Sequence, residues 1–409
     1  MKSLILSILL VLLGSSQVFS NNYYDKHFTN ERMRIDYYMY AQKDAIEVKI
    51  KDITKEPHWA GVRNENLQKS YGGNFKYRLI DIESDSIIFE RGFSSMVEEW
   101  QSSDLKEEKR RFEMVAIMPF PKSDVSFEIL QWDMHKGKYD FVYSSNIDVE
   151  DIKEALLESV NIDVASSTSV DVVILSEGYT KEQESIFISD CNRFTEYMFN
   201  VAPFDSLKAD FTIRNVFAPS EDSGTSMLDG KTKLETNYGS SFYTFEEPRY
   251  LTTESMFSVH NAIAGIDYDY IIILVNTDVY GGAGFYNTYA ITSAHNTASM
   301  EVFIHEFGHS FAGLADEYFY EHDDVLDGMY SILVEPWEAN ITSRVDFSSK
   351  WEDMMKDGIR GLGLYEGAGY LTKGMYRGED NCMMRALSYP FCAVCRRQII
   401  NITQYNIGE

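Results

Sequence analysis

The chain has few basic residues for its length, few cysteines and, after its first twenty residues, no long apolar run. Only 37 Lys and Arg residues stand against 64 Asp and Glu residues, so the formal net charge of the 409-residue chain is −27. Nucleic acid and anionic membrane surfaces would repel this charge, which argues against both as partners. No stretch after residue 20 approaches the roughly eighteen apolar residues of a membrane-spanning helix. Internal repeats and extended low-complexity tracts are also missing.

The apolar run at the N-terminus predicts a secretory signal peptide over residues 1–20. Lys2 provides a positive charge, Leu4–Leu13 is apolar, and Val18 and Ser20 suit a cleavage site after Ser20. The run is too short for a confident membrane span, and no cysteine near the cleavage site provides for a lipid anchor. We expect an exported protein (periplasmic, attached to the cell surface or secreted) without an integral membrane segment after signal cleavage. The oligomeric state cannot be predicted from the sequence.

Four cysteines are present: Cys191, Cys382, Cys392 and Cys395. Export permits disulfides, and we expect one disulfide among the three C-terminal cysteines, although their spacing does not decide which pair forms it. Cys392 and Cys395 form C-x-x-C, but a structural zinc site would need more ligands than Cys382 alone adds. A thioredoxin-like redox role is disfavoured because no βαβ pattern surrounds the pair.

Residues 21–155 predict an all-β, sandwich-like N-terminal domain. Seven short segments are rich in β-branched and aromatic residues, and several alternate apolar with polar residues, which is typical of strands. They are Arg34–Ala41, Ala45–Lys51, Tyr77–Ile82, Ser86–Glu90, Phe112–Met118, Phe127–Trp132 and Tyr139–Tyr143. No cluster of His, Cys and Glu lies here, so the domain is either a spacer that presents substrate or an adhesive module.

The character of the chain changes after about residue 155. The segment DIKEALLE, residues 151–158, predicts a helix, and the polar stretch that follows it marks a boundary. A second domain over residues 165–409 then alternates strands and helices. Strands are predicted at 170–175, 211–217, 268–275 and 285–292, and helices at 181–199, 257–264 and 393–400. The expected fold class is α+β, with an all-β domain before a mixed catalytic domain.

The segment EVFIHEFGHSFAGLADEY, residues 301–318, contains the pattern H-E-x-x-H in His305, Glu306 and His309. Residues four apart share one face of a helix, so the two imidazoles can point at a single Zn²⁺ ion. Glu306 takes the position of the general base in a zinc peptidase. The alternative is an apolar core helix that contains two histidines, and the residues after the pattern weigh against it.

Gly313 can end this helix in a left-handed conformation, so that the turned chain brings a carboxylate back towards the histidines. Asp316 is the preferred third ligand because its spacing from Gly313 matches the usual G-x-x-ligand step. Glu317 is the alternative third ligand. Three protein ligands and one open position are typical of a catalytic zinc site.

Glycines precede the motif in the segment YGGAG, residues 280–284. Gly281, Gly282 and Gly284 permit close backbone approach at a sheet edge, where an extended peptide could add as a further strand. An ordinary glycine loop is the equally weighted alternative.

Further candidates follow the motif. Met383 or Met384, in the segment NCMM, can form a Met-turn beneath the zinc ligands. Tyr318 and Tyr389 are candidates to assist the developing oxyanion. The long segment 319–378 has no strong periodicity and is expected to form a wall of the active site.

The segments HEFGHSFAGLADEY, NCMMR and FCAVC together resemble the M64 family of zinc peptidases, a metzincin-like family that includes an IgA-cleaving protease. The resemblance covers about residues 165–405, and the β-rich unit before it resembles the N-terminal domain of that family. It implies a metzincin-like fold, one catalytic zinc ion, His305 and His309 as ligands, Glu306 as the catalytic residue and a Met-turn at Met383–Met384.

The chain departs twice from the usual metzincin pattern H-E-x-x-H-x-x-G-x-x-H. Gly313 lies one residue later than expected, and Asp316 takes the third ligand position instead of histidine. One residue inserted in the turn would make the shifted spacing tolerable, and it leaves Glu317 as the alternative third ligand.

The expected function is that of a secreted zinc metalloendopeptidase, in which zinc-activated water attacks peptide bonds with Glu306 as general base. Its partners would be proteins or peptides. One alternative is an exported glycan- or protein-binding surface protein with a non-proteolytic or decayed zinc site. Another is a zinc hydrolase acting on a non-peptide amide, which only a substrate screen would distinguish.

Overall fold

The structure, a computed structural model, describes residues 23–69, 71–155, 169–320 and 329–408. The predicted signal peptide and most of the polar stretch after residue 158 lie outside the described residues. Within those four ranges, no helix combines the length and the apolar character that crossing a membrane requires.

The N-terminal region begins with a helical turn at residues 23–27, and β-strands and a short helix follow it. In chain order they are β1 (Phe28–Gln42), β2 (Ala45–Glu56), β3 (Phe75–Asp81), β4 (Ser86–Phe93), α1 (Met96–Ser102), β5 (Arg110–Pro121), β6 (Val125–Asp133), β7 (Lys138–Ile147) and β8 (Lys153–Glu154). They form two four-stranded sheets, in the orders β5-β1-β2-β8 and β4-β3-β6-β7. Each of the seven predicted strands overlaps one of β1 to β7, so the prediction of a β-rich N-terminal region is confirmed.

The two sheets share a core built from alternating apolar positions. In β3 every second residue is buried, as expected for a strand with one face against a core. The Tyr77 hydroxyl donates to the carbonyl of Ile117 in the other sheet at 2.9 Å. The rings of Tyr37 and Phe127, again from opposite sheets, have centroids 6.2 Å apart. Side chains of the two sheets therefore interdigitate, as in a sandwich.

The region from residue 169 onwards alternates strands and helices. Its elements are β9 (Val170–Glu177), α2 (Glu184–Met198), β10 (Phe211–Val216), β11 (Ser226–Met227), β12 (Ser241–Phe242), α3 (Met256–Ala262), β13 (Tyr270–Val275), β14 (Gly282–Phe285), β15 (Tyr289–Ser293), α4 (Ser299–Ala312), β16 (Ile341–Thr342), α5 (Glu352–Lys356), β17 (Tyr365–Ala368), β18 (Leu371–Arg377) and α6 (Ala393–Ile407). Short sheets are formed by β11 with β12 and by β16, β18 and β17.

A five-stranded sheet, in the order β10-β9-β13-β15-β14, organises this region. Its first four strands are parallel, and β14 is an antiparallel edge strand. In β13, Ile271 and Ile273 belong to the core that includes the N-terminal sheets, whereas Ile272 and Leu274 belong to the core that includes α2, α4 and α6. Burial on both faces explains why β13 is apolar throughout. Since one core joins both regions, the division at residues 155–165 stays a prediction.

The helix predicted at residues 151–158 is wrong over its described part. Lys153 and Glu154 are extended and pair in parallel with Thr54 and Lys55 at the edge of β2. Backbone partners at this edge compete with local helix propensity, which is a weak determinant of structure. Residues 156–158 lie outside the described residues.

The single strand predicted at residues 285–292 is a hairpin of β14 and β15. The turn between them contains Asn287 with a positive φ of 52°. Asn tolerates this left-handed conformation better than most residues, so it can end one strand before the next begins.

Buried charges join β1 to the region from residue 169 onwards. Arg32 and Glu56 are each about 1% exposed, and the Arg32 guanidinium donates to the Glu56 carboxylate at 2.8 and 2.5 Å. Arg32 also donates to the carbonyl of Ile266 at 3.2 Å and lies 4.7 Å from the centroid of the Tyr268 ring. The ion pair is therefore part of the contact between the two regions.

Candidate metal centre

Helix α4 carries the two histidines. It packs on the face of the five-stranded sheet that α2 and α6 also cover. Its apolar residues, such as Phe303 and Phe307, are buried against α2 and α6, which fixes the rotation of the helix. The helix ends at Gly313, whose φ of 60° and ψ of 37° are left-handed and whose N–H donates to the carbonyl of His309 at 3.0 Å. The predicted helix end is confirmed, and the chain beyond it turns back.

The turn brings Asp316 against the two histidines. Its Oδ1 atom lies 3.1 Å from Nε2 of His305 and 3.3 Å from Nε2 of His309, and the two Nε2 atoms are 3.1 Å apart. Atoms about 2.0–2.2 Å from a tetrahedral ion lie roughly 3.3–3.6 Å from one another, so this triangle has nearly the edge lengths that zinc requires. We call these three residues the metal trio.

Each histidine is held by its other ring nitrogen. Nδ1 of His305 lies 3.1 Å from the carbonyl of Met383, and Nδ1 of His309 lies 2.5 Å from the carbonyl of Leu314. A neutral imidazole that donates from Nδ1 keeps a lone pair on Nε2, which is the tautomer that ligates a metal. Both Nε2 lone pairs therefore face Asp316.

Asp316 is itself buried and only partly satisfied. The hydroxyl of Tyr370 donates to its Oδ2 atom at 2.5 Å, whereas Oδ1 has no hydrogen-bond donor among the described residues. Three acceptor atoms therefore converge on one point. Such an arrangement favours a positive charge at this point, a proton or a metal ion, because a buried carboxylate without a balancing charge is costly. The residues present thus fit a metal ion.

The charges within the metal trio also favour a bound metal ion. Burial works against a charge on His309, but the charge of Asp316 outweighs it and raises the pKa of His309 to about 9. Burial likewise works against the Asp316 carboxylate, yet His309 and His305 hold its pKa well below the usual range. A pocket that stabilises a proton in this way also stabilises a metal ion between the same atoms.

Glu306 lies beside the metal trio, close to both histidines. One oxygen of its carboxylate and one nitrogen of each histidine lie within 4.8 Å of one another. Burial raises the pKa of Glu306, and the two histidines partly offset this rise. A carboxylate with a raised pKa near a metal site can accept a proton and return it.

Strand β14 packs directly against α4 because it is rich in glycine. A Cβ atom on Gly284 would lie 2.2 Å from the carbonyl oxygen of Glu306, and one on Gly282 would lie 3.0 Å from Cγ of Glu306. A Cβ on Gly281 would lie 2.4 Å from the carbonyl oxygen of Arg249. The glycines therefore set the distance between the edge strand and the helix that carries the histidines. The outer side of β14 is bridged at Gly282 by Tyr250.

We expect Gly284→Ala to lower both stability and activity. The new Cβ meets backbone on α4, so the strand or the helix must shift, at a cost of about 1–3 kcal/mol. A shift of this kind can also cost roughly 10²-fold in rate. Thermal unfolding measures the stability, and peptide cleavage, the activity expected from the sequence, measures the second effect. Gly363→Ala is the control, because its Cβ would meet only the Tyr365 ring, at 3.2 Å. Unchanged unfolding and cleavage in Gly284→Ala would contradict the packing role.

The segment around Met383 and Met384 lies beneath α4. Both side chains are buried, and a Cβ on Gly308 of α4 would lie 2.9 Å from Sδ of Met384. The Met383 carbonyl faces Nδ1 of His305, as described above. Met384 thus packs where a Met-turn would, although the Met-turn itself stays a prediction.

Glu317 faces away from the metal trio. Its carboxylate is fully buried, with Oε1 3.3 Å from Sγ of Cys395 and 3.8 Å from Sγ of Cys392. Asp316, not Glu317, therefore faces the histidines. The disulfide predicted among the C-terminal cysteines is wrong. All four cysteines are free, and Sγ of Cys382 lies 3.6 Å from Sγ of Cys395, compared with about 2.05 Å in a disulfide.

The two tyrosines predicted to assist the oxyanion, Tyr318 and Tyr389, lie in different environments. Burial raises the pKa of Tyr318 well above its usual range, and the charge and hydrogen bond of Asp316 add to this. Tyr389 is 41% exposed and closes a turn through its N–H to Ala386. Sequence reasoning missed Tyr370, which bonds Asp316 from 54 residues away. Its signal in the sequence was weak, a single tyrosine directly after the Gly-rich stretch, and its left-handed φ of 67° is seen only in the structure.

Comparison with known proteins agrees with this geometry. The family model described as IgA Peptidase M64 matches residues 158–362 and 359–403, and the model described as Peptidase M64 N-terminus matches residues 23–142. No curated protein matches the chain. The two models cover most of the chain and include the metal trio, Glu306 and strands β1 to β6 of the N-terminal sheets. The chain therefore belongs to the IgA peptidase M64 family and is a metallopeptidase by that membership.

Proposed function

We propose that the chain is an exported, zinc-dependent endopeptidase with a metzincin-like catalytic domain. The observation that carries this proposal is the metal trio, in which the unpartnered Oδ1 of Asp316 faces the Nε2 atoms of His305 and His309 beside Glu306. Membership of the M64 family supports peptide bonds as the substrate class.

His305, His309 and Asp316 would hold the zinc ion, and Glu306 would move the proton. When bound, zinc supplies Lewis-acid polarisation of the scissile carbonyl and a lowered pKa for water. Glu306 accepts the proton of the attacking water and delivers it to the leaving amine. Its raised pKa suits both transfers, because a base that is too weakly basic would release the proton to solvent instead.

The edge strand β14 offers a backbone surface beside Glu306. We propose that an extended substrate runs along β14 beyond the Tyr250 bridge at Gly282, where main-chain hydrogen bonds would hold it in register with the metal trio. Gly282 and Gly284 would bring this backbone close to Glu306. Tyr318, which interacts with Asp316, is the better placed of the two predicted tyrosines to face a developing oxyanion.

We expect Tyr370→Phe to weaken zinc binding by about 10–100-fold, because groups that orient a metal ligand typically contribute this much. The substitution removes the hydroxyl that fixes Oδ2 of Asp316 and keeps the ring. Competition with a chromophoric chelator measures the affinity. Tyr376→Phe is the control, since Tyr376 lies on β18, the strand that begins directly after Tyr370, and its hydroxyl lies 3.4 Å from the exposed Glu366. Equal affinity in both variants would exclude this role for Tyr370.

Metal removal tests the proposed activity. The mature chain is incubated with a peptide library derived from a whole proteome, before and after treatment with a strong chelator, and new peptide ends are identified by mass spectrometry. We expect internal cleavages that disappear on chelation and return with added Zn²⁺. Cleavage that persists after chelation would contradict a metallopeptidase, and removal of single terminal residues would contradict an endopeptidase.

Export is proposed from residues 1–20 alone. The N-terminal sequence of the protein recovered outside the cytoplasm should begin at Asn21, directly after the predicted cleavage site. Recovery of the full-length chain in the cytoplasm would contradict export. The name of the family does not establish IgA as a substrate of this chain, and the library experiment reads the cleavage preference directly.

A further inference from the structure

A second cluster of ligand-type side chains lies behind the metal trio. Glu317, Cys382, Cys392 and Cys395 are all buried, and one ligand atom from each lies within 4.8 Å of the others. Three thiols and a carboxylate form the cluster, and it leaves no open position towards solvent. We call it the thiol cluster. It takes no part in the mechanism proposed above.

The distances within the thiol cluster match those around a tetrahedral ion. Sulfur atoms about 2.3 Å from zinc lie roughly 3.8 Å from one another and roughly 3.5 Å from a carboxylate oxygen on the same ion. The Sγ atoms of Cys382 and Cys395 are 3.6 Å apart. Oε1 of Glu317 lies 3.3 Å from Sγ of Cys395 and 3.8 Å from Sγ of Cys392.

The Glu317 carboxylate is only partly hydrogen-bonded. Asn340 donates to Oε1 at 3.0 Å, but Oε2 is buried and has no hydrogen-bond partner among the described residues. Glu317 has no solvent exposure, so hydration cannot compensate for this. A buried carboxylate among thiols is costly unless a cation neutralises it.

Backbone N–H groups in the thiol cluster point at sulfur atoms and would stabilise negative charge on them. The N–H of Cys392 points at Sγ of Cys382 at 3.2 Å, and the N–H of Cys395 points at Sγ of Cys392 at 3.4 Å. Cys392 is the N-cap of α6, where the positive end of the helix dipole favours an anion. Arg377 also contributes positive charge near Glu317.

We propose that Glu317, Cys382, Cys392 and Cys395 bind a second Zn²⁺ ion, with a structural role. Binding would release the protons of the three thiols, and that of Glu317 where it is protonated, to solvent, and would form three Zn–S bonds and one Zn–O bond. Four protein ligands and complete burial are the features of a structural zinc site, since a catalytic site keeps one position open.

The second ion would fasten together the two segments that shape the catalytic site. Glu317 follows Asp316 directly, and Cys382 precedes Met383, whose carbonyl holds His305. The N–H of Glu317 already donates to the carbonyl of Met384 at 2.8 Å. Zinc in the thiol cluster would therefore fix the position of the third ligand of the metal trio and the orientation of one histidine.

Zinc counting combined with X-ray absorption tests this proposal on the full mature chain. We expect two zinc ions per chain in the unaltered protein and one in His305→Ala/His309→Ala. The remaining ion should show sulfur neighbours at about 2.3 Å. Adding Cys392→Ser and Cys395→Ser should remove it, whereas adding Cys191→Ser, which changes a buried cysteine outside the cluster, should leave it in place.

If the cysteine variants do not fold, the unaltered protein alone still decides the question. The proposal requires its X-ray absorption spectrum to contain both sulfur neighbours and nitrogen or oxygen neighbours of zinc. Zinc with only nitrogen and oxygen neighbours would overturn the proposal. So would a disulfide between any two of the three cysteines in the protein as isolated. Sulfur-bound zinc in a chain that cleaves no peptide would uphold the thiol cluster and refute the proposed peptidase, so the two claims fail separately.

Discussion

Glu306→Gln should lower kcat/KM for peptide cleavage by about 10²–10⁴-fold, the usual contribution of a positioned general base, while zinc content stays unchanged. Glutamine has nearly the same shape but cannot accept the proton from water. Zinc should remain because the three converging atoms belong to His305, His309 and Asp316, none of which changes. Cleavage kinetics on a single peptide from the library and zinc analysis of the same sample measure the two quantities.

Glu301→Gln is the matched control for this experiment. It makes the same chemical change on the same helix, in the first turn of α4, one turn before His305 and near Tyr197. We expect its kinetics to equal those of the unaltered protein. If Glu306→Gln retained full activity with zinc bound, Glu306 would not be the base, and another group would have to accept the proton.

Glu56→Ala should lower the free energy of unfolding by about 3–5 kcal/mol, the usual cost of breaking a buried ion pair from one side. The Arg32 guanidinium would stay buried between the two regions with its main acceptor removed, keeping only the Ile266 carbonyl and the Tyr268 ring. The loss should include the contact between β1 and the peptidase region. Urea unfolding followed by tryptophan fluorescence measures it.

Two further variants separate charge from packing at this position. The double substitution Arg32→Met/Glu56→Leu removes both charges and should be much less destabilising than Glu56→Ala, because no charge is left unpaired. Glu107→Ala breaks the exposed pair with Lys43 and should have no measurable effect. An equal loss in the single and double variants would show that shape, not charge, dominates the contact.

Local signals were enough to predict helix α4 and its end. The apolar face of α4 and the glycine that ends it, Gly313, depend on neighbouring residues in the sequence. The helix and its end could therefore be predicted. The strands of the N-terminal region were likewise predictable from alternation. Residues 151–155 and 285–292 were not, because pairing with β2 and a turn at Asn287 decided their structure.

The parts of the site that depend on distant contacts could not be predicted. Tyr370 reaches Asp316 across 54 residues, and no pattern in either segment encodes this contact. Asp316 and Glu317 are adjacent carboxylates whose side chains point to opposite sides, one to the histidines and the other to the cysteines. The spacing from Gly313 favoured Asp316. The sequence does not show that Glu317 lies beside the C-x-x-C pair, because only the fold brings these residues together.

Anomalous diffraction at the zinc absorption edge tests the central claim most directly, which is that His305, His309 and Asp316 together hold the catalytic ion. Crystals of the zinc-loaded protein should show a peak about 2.0–2.2 Å from both Nε2 atoms and from Oδ1 of Asp316, with Glu306 outside the coordination shell. A fully active protein in which the peak lies elsewhere, or in which Glu306 replaces Asp316 as a ligand, would contradict the account.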